Sequence, residues 1–281
     1  MCANSGVVGT CHDKKMKKNN SSIHVLQLTD PHLRKEVDGQ LLGMNTRDSL
    51  DAVIQLVLSE QEQPDILLAT GDISQDGSVE AYDAFIKQTR TFACPQFWLA
   101  GNHDDVDNMA RAASGTTAMD KVVQIGGWQI IMLDSSVPGK VYGRIDDADL
   151  RLLESTLRDE PNKHTLVCLH HHPVDIDCKW LDTIGLKNRD EFLAIIKSAA
   201  NVRAVLWGHI HQEFELEWNG IPFLATPSTC VQFEPKSSDF AVGTQSPGYR
   251  WLTLNADGRV ETAVYRADHI DFQVDLNSKG Y

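Results

Sequence analysis

A chain of 281 residues carrying 26 Lys and Arg against 39 Asp and Glu has a formal charge of −13, which repels the phosphate backbone of long nucleic acids. A small anionic ligand then depends on local cations or metals to hold it. With 42% apolar and 23% charged residues the composition is that of an ordinary soluble globular protein, long enough for one large domain or two small ones.

Six scattered cysteines (Cys2, Cys11, Cys94, Cys168, Cys178, Cys230) form no C-x-x-C pair, which excludes a disulfide-built scaffold and implies reduced thiols in a cytoplasmic protein. Residues 1–22 are polar, and their apolar stretch at Val7 and Val8 is too short for a signal peptide, so a mobile tail is expected there. No apolar run approaches the roughly 20 residues of a membrane helix, and no membrane partner is expected.

Five β-type runs follow: IHVLQLT (23–29), DILLAT (65–70), FWLA (97–100), TLVCL (165–169) and VRAVLW (202–207). Each is continuous enough to be a strand buried on both faces. Between the first two, Thr46 can cap a helix whose apolar positions Leu50, Val53, Ile54, Val57 and Leu58 follow a helical period. Further helices are expected near 78–90, 147–158 and 189–199, an alternation that predicts an α/β sheet with helices packed on it. Segments 122–134, 214–226 and 249–266 read as hairpins, the middle one turning at Asn219-Gly220, and predict a second, more antiparallel sheet. No repeat or linker divides the chain, and residues 23–281 are expected to form one domain.

Each of the five runs is followed by groups able to bind a metal: Asp30-Pro31-His32, Gly71-Asp72, Gly101-Asn102-His103-Asp104, His170-His171-His172 and Gly208-His209-Ile210-His211. They share the carboxyl ends of strands, where loops from distant parts of an α/β chain converge on a ligand. Singly such motifs are weak. Five in one topological position are hard to explain otherwise, because without a metal they would gather charged and imidazole groups in one cleft without partners.

Asp30, His32, Asp72, Asn102, His170, His209 and His211 make seven ligands, too many for one tetrahedral ion and suited to two. Asp72 bridges if metal one takes Asp30, His32, Asp72 and His211 while metal two takes Asp72, Asn102, His170 and His209. His103 is left without a metal and free for proton transfer. Imidazole, carboxylate and amide donors without thiolate fit Fe, Mn, Zn or Co.

In order and without gaps these residues match the pattern D-x-H, G-D, G-N-H-[DE], H and G-H-x-H, and the chain resembles the calcineurin-like metallophosphoesterases. Segments LLGMNT (41–46), LHHHPVDIDCKWLD (169–182), GHIHQEFELEWNG (208–220) and ATPSTCVQF (225–233) are similar to the class III bacterial cyclic AMP phosphodiesterases, a likeness covering nearly all of 23–281. The resemblance implies an α/β fold of the four-layer αββα sandwich type and a single metallophosphoesterase domain. It places ligands at the seven positions above, with His170 as the one from the triple histidine, around two divalent ions, Fe2+ favoured and Mn2+ as substitute.

The implied reaction opens 3',5'-cyclic AMP to 5'-AMP by in-line attack of a bridging hydroxide. His103 acts as the general acid, a role typically worth about a hundred- to ten-thousandfold. Asp104 either holds that imidazole or caps the next helix. Substrate contacts are implied at His32, Asp72, Asn102, His103 and His211, the partner is a small cyclic nucleotide, and monomer and homodimer both stay open. His171 and His172 either line the pocket or are hydrogen-bonded structural groups, while His24, His164, His12 and His269 carry no motif.

The metal set alone would equally suit a phosphomonoesterase, a protein phosphatase, a nuclease or a broader phosphodiesterase. The acidic balance argues against a nuclease on long polymers, and the choice of cyclic AMP rests on the family-like segments. A non-catalytic scaffold of the same fold would not need all seven ligands and His103.

Overall fold

The computed structural model describes residues 22–277; apart from Ser22, the tail expected over 1–22 lies outside the described residues. The first half of the chain runs β1 (Ile23–Leu28), β2 (Gln40–Leu41), β3 (Met44–Asn45), α1 (Thr46–Glu60), β4 (Ile66–Thr70), α2 (Val79–Thr89), β5 (Gln96–Leu99) and α3 (Val106–Ala112). There follow β6 (Val122–Ile125), β7 (Trp128–Met132), α4 (Asp147–Asp159), β8 (His164–Cys168), α5 (Lys179–Asp182), α6 (Arg189–Ser198), β9 (Val202–Trp207), β10 (Phe214–Trp218), β11 (Ile221–Ala225), β12 (Gly248–Leu254) and β13 (Val260–Arg266).

The strands pair into two mixed sheets, ordered β13-β12-β1-β4-β5 and β10-β11-β9-β8-β7-β6, beside the small β2–β3 pair. Strands β1, β4 and β5 are parallel, as are β7, β8, β9 and β11. Because side chains alternate along a strand, each buried run feeds two hydrophobic layers. In β4, Ile66 and Leu68 face the other sheet while Leu67 and Ala69 face helices; in β9, Ala204 and Leu206 point inward while Val205 and Trp207 point outward. The inner layer takes residues from both sheets, and the outer ones join the sheets to α1, α2 and α3 on one side and to α4 and α6 on the other. The result is the expected αββα sandwich.

Two expectations need correction. The hairpins form as read, but they do not build a separate antiparallel sheet: β12–β13 extends the first sheet, and β6–β7 and β10–β11 flank β8 and β9 in the second. In each hairpin one strand is more buried than its mate, as β7 is against β6 and β12 against β13, because the inner strand must pair with the main sheet. Helix α1 is capped by Asn45, whose side chain accepts the N–H of Arg47 and of Asp48, and Thr46 is already helical. Of its expected apolar stripe, Leu50, Val53, Ile54 and Val57 are buried but Leu58 is 38% exposed.

Among the described residues no helix is long and apolar enough to cross a membrane. Leu206→Ala, in the layer between the sheets, should lower stability in urea unfolding by about 2–5 kcal/mol. Leu216→Ala on β10, where the side chain is 39% exposed, should stay within about 0.5 kcal/mol. Equal effects would contradict this assignment of the core.

Candidate metal centre

Asp30 and His32 follow β1, Asp72 follows β4, Asn102 and His103 follow β5, His170 follows β8, and His209 and His211 follow β9. Both sheets therefore supply the centre, and all the predicted ligands but half-buried Asn102 are buried. Turning five chain segments inward within two to four residues of a strand end demands unusual backbone. Asp30, His32, Asp72, His209 and His211 all have φ between 47° and 67°, five of the nine non-glycine residues described with positive φ. Such conformations cost of order 1–3 kcal/mol each and persist where the surroundings over-determine them. Gly101 and Gly208 allow the close approach, since a Cβ there would collide with Asp72 and with Thr29 and Asp30 respectively.

The donor atoms converge. His170 Nε2 lies 3.3 Å from Asp72 Oδ2 and 4.0 Å from Asp30 Oδ1, His211 Nε2 lies 3.4 Å from Asp30 Oδ1, and His32 Nε2 lies 3.8 Å from Asp72 Oδ2. The second nitrogen of each ring is held by an oxygen: His170 Nδ1 by the Thr70 carbonyl at 2.8 Å, His211 Nδ1 by the Val231 carbonyl at 2.8 Å, and His32 Nδ1 by Gln75 Oε1. In the neutral ring an N–H facing an oxygen fixes the tautomer and leaves the lone pair on Nε2, the usual arrangement for a metal-ligating histidine.

Nε2 of His32 and Nε2 of His211 stand 3.0 Å apart, each ring with its Nδ1 against an oxygen, a spacing that a shared positive charge would suit. Nε2 of His209 and Oδ1 of Asn102 are buried without a hydrogen-bond partner, and Nε2 of His170 faces the Asp72 carboxylate. These atoms and the two carboxylates fit divalent cations by number and chemistry, and Asp30 with His32 and His211, and Asp30 and Asp72 with His170, each come within ligand reach of one another.

Electrostatics agree with this fit. Burial would raise both buried carboxylates, but His211 acting on Asp30, and His170 and His103 acting on Asp72, hold them below the ordinary range. Burial drives His32 down to about 3 and His209 well below its usual value. On His170 burial also works downward, yet Asp72 and Asp30 outweigh it and raise the ring to about 9.

His171 also comes within reach of His170 and His209, which the sequence left open. Ser135 decides between the neighbours. Its Oγ accepts the backbone N–H of His170 at 3.3 Å and of His171 at 3.2 Å and lies 2.8 Å from His171 Nδ1. With both lone pairs taken, the hydroxyl gives its single proton to Nδ1, so the neutral His171 ring carries its own proton on Nε2 and has no lone pair there for a metal. His170, with the opposite tautomer, is the better donor. His172 stacks on His209, with centroids 5.7 Å apart, and burial drives it down to about 3.

His103 is half-buried at the edge of the centre, its N–H donating to Asp72 Oδ1 at 2.8 Å and its ring meeting His32 edge-on at 5.0 Å. Asp104 does not cap α3; Asp105 does, accepting the Asn108 N–H. Asp104 instead accepts N–H groups of Gly101, Ile73 and Ser74 and the Tyr82 hydroxyl, tying the β4 and β5 loops together, and burial beside Asp72 pushes it up to about 7. Motif reading missed Gln75, Thr70, Val231 and Ser135, the groups that set the tautomers. None has a ligand's residue type or a fixed spacing from the ring it orients.

The calcineurin-like phosphoesterase family model matches residues 23–213, and the chain belongs to that family. It is 44% identical over 262 residues to the 3',5'-cyclic adenosine monophosphate phosphodiesterase CpdA of Pseudomonas aeruginosa, covering 93% of this chain and 96% of that protein. It is 42% identical over 261 residues to the CpdA of Escherichia coli K12, covering 92% and 95%. Its fold is similar to that of a dimetal phosphatase from Danio rerio, with a TM-score of 0.61 over 89% of this chain and 100% of that one; at 16% identity the likeness is one of fold alone.

With His170 at about 9, the metal-free protein carries a proton there at neutral pH that a cation must displace. Affinity should therefore weaken about tenfold per pH unit as pH falls below about 9, and calorimetry near pH 7.5 in buffers of different ionisation enthalpy should register about one released proton. Binding without proton release would contradict the assignment of His170 as a ligand.

Proposed function

We propose that this chain is a 3',5'-cyclic AMP phosphodiesterase that yields 5'-AMP and lowers cellular cyclic AMP. The observation that carries the reading is near full-length identity of 44% and 42% to relatives bearing that name, in a chain whose buried histidines and aspartates come within ligand reach of one another. Asp30, His32, Asp72 and His211 would hold one divalent cation and Asp72, Asn102, His170 and His209 the other, with Asp72 shared. Iron is favoured and manganese an alternative, in keeping with nitrogen and oxygen donors without thiolate. When bound, such a pair would acidify a water to serve as nucleophile and would neutralise charge on the phosphoryl oxygens.

The chain's own groups do the rest. Thr29 donates to Asp30 Oδ2 at 2.6 Å and the N–H of His103 donates to Asp72 Oδ1, so both carboxylates are aimed before any ligand arrives. The Asn102 amide oxygen, just after β5, is buried without a hydrogen-bond partner and would be free for a cation. His103, outside the ligand set but beside it, gives its proton to the leaving 3' oxygen, and His32, Asp72, Asn102, His103 and His211 face the phosphate. Residues 23–281 act as one metallophosphoesterase domain, since both sheets supply the site. Cys94, Cys168, Cys178 and Cys230 are free thiols, in keeping with a cytoplasmic setting.

Removing His103 separates proton donation from metal binding. With cyclic AMP the leaving alkoxide is strongly basic, and His103→Ala should slow turnover by about a hundredfold or more. With bis(p-nitrophenyl) phosphate the phenolate leaves without a proton, so the loss should be distinctly smaller, with metal content near wild type. Equal losses on both substrates together with reduced metal content would remove His103 from the role of acid.

A further inference from the structure

Beside the metal centre lies a cavity of about 240 Å³, lined by His172, Asp175, Asp182, Gly185, Lys187 and Arg189. It begins one ring away from the candidate ligands, because His172 stacks on His209 with the planes 19° from parallel. His172 is 2% exposed, and neither of its ring nitrogens has a hydrogen-bond partner. Asp182 Oδ1 stands 3.8 Å from Nε2, too far for a hydrogen bond. Nε2 lies against Gly185 and Asp182 of the cavity wall, and an unpaired buried nitrogen there is costly unless something meets it.

The lining limits what that is. Arg189 is paired with Asp175, and Lys187 donates to the Thr183 carbonyl at 2.6 Å and lies 5.3 Å over the Tyr142 ring. With Asp175 and Asp182 on the same wall, no surplus positive charge awaits a second phosphate. The volume falls below the about 300–1,000 Å³ of pockets that enclose drug-sized ligands, which suits one flat heterocycle. The wall is firmly set: the Leu186 N–H donates to the His172 carbonyl at 3.0 Å and the Lys187 N–H to the Gly143 carbonyl at 2.8 Å. Gly185 keeps the space clear, since a Cβ there would lie 2.7 Å from His172 Nε2.

We infer that this cavity is the subsite for the base of the nucleotide, with His172 hydrogen-bonding the base edge while the phosphate lies at the metal centre. The inference rests on the cyclic-nucleotide reading above. It makes His172 a residue of substrate selection, favouring nucleotide diesters over diesters without a base.

The test uses the metal-loaded full chain as wild type, His172→Leu and His172→Asn, the last keeping a donor and an acceptor. Cyclic AMP and bis(p-nitrophenyl) phosphate are the substrates, adenosine and inorganic phosphate the inhibitors of the second, and metal content is measured throughout. In wild type adenosine should compete, having a base but no phosphate. His172→Leu should raise KM for cyclic AMP and weaken adenosine inhibition by about tenfold or more, well beyond its effect on bis(p-nitrophenyl) phosphate or on phosphate inhibition, and His172→Asn should recover part of the loss.

Equal losses on both substrates at full metal content would overturn the subsite while leaving the phosphodiesterase reading intact. So would a wild type that adenosine does not inhibit, the result expected if water alone fills the cavity, and this arm decides the matter even if the variants fail to fold. A wild type that cleaves bis(p-nitrophenyl) phosphate but not cyclic AMP would overturn the cyclic-nucleotide reading itself, and the base subsite with it.

Discussion

Two imidazole nitrogens 3.0 Å apart, with two buried carboxylates within reach, form an arrangement that a bound cation would stabilise. Much of the fold serves to impose it. Five strand ends from two sheets are brought to one edge, and five of the converging residues adopt the left-handed backbone region. Beneath them a buried polar chain crosses between the sheets: Gln27 Nε2 donates to Thr70 Oγ1 at 2.8 Å, Thr226 donates to Gln27 Oε1, and Arg250 Nε donates to Thr226 Oγ1 at 3.2 Å. The carbonyl of the same Thr70 fixes the tautomer of His170, so the packing of the sheets and the chemistry of the site meet in one residue.

The strands and the convergence of donor side chains at their ends were legible because each rests on a local signal. A continuous apolar run such as ILLAT in β4 needs two buried faces, and the Gly-Asp after it needs a tight turn. What depends on partners far along the chain was not legible. Periodicity identifies β12 and β13 as a hairpin but not the sheet they join, since pairing with β1 is decided across more than two hundred residues. Adjacent cap candidates such as Asn45 and Thr46 differ only in where the helical dihedrals begin. The distinction between His170 and His171 is subtler still, for it turns on Thr70 and Ser135, which give neighbouring rings opposite tautomers.

The αββα framework does not by itself select a substrate: at 16% identity the same fold builds a dimetal phosphatase. Selection has to come from what surrounds the metal centre, and here the surroundings are asymmetric. The centre itself is built for charge, whereas the wall beyond His172 pairs its cations with carboxylates or an aromatic face and leaves a neutral imidazole unpartnered. A substrate with a phosphodiester at one end and a hydrogen-bonding ring at the other matches that asymmetry.

The proposed reading has Asp30, His32, Asp72, Asn102, His170, His209 and His211 hold two cations that share Asp72. Anomalous diffraction from crystals of the manganese-loaded protein tests it most directly. Two peaks about 3.5–4 Å apart are expected, one reached by Asp30, His32 and His211 and the other by Asn102, His170 and His209, with Asp72 touching both. A single peak, or a second one bound by His171 in place of His170, would contradict it.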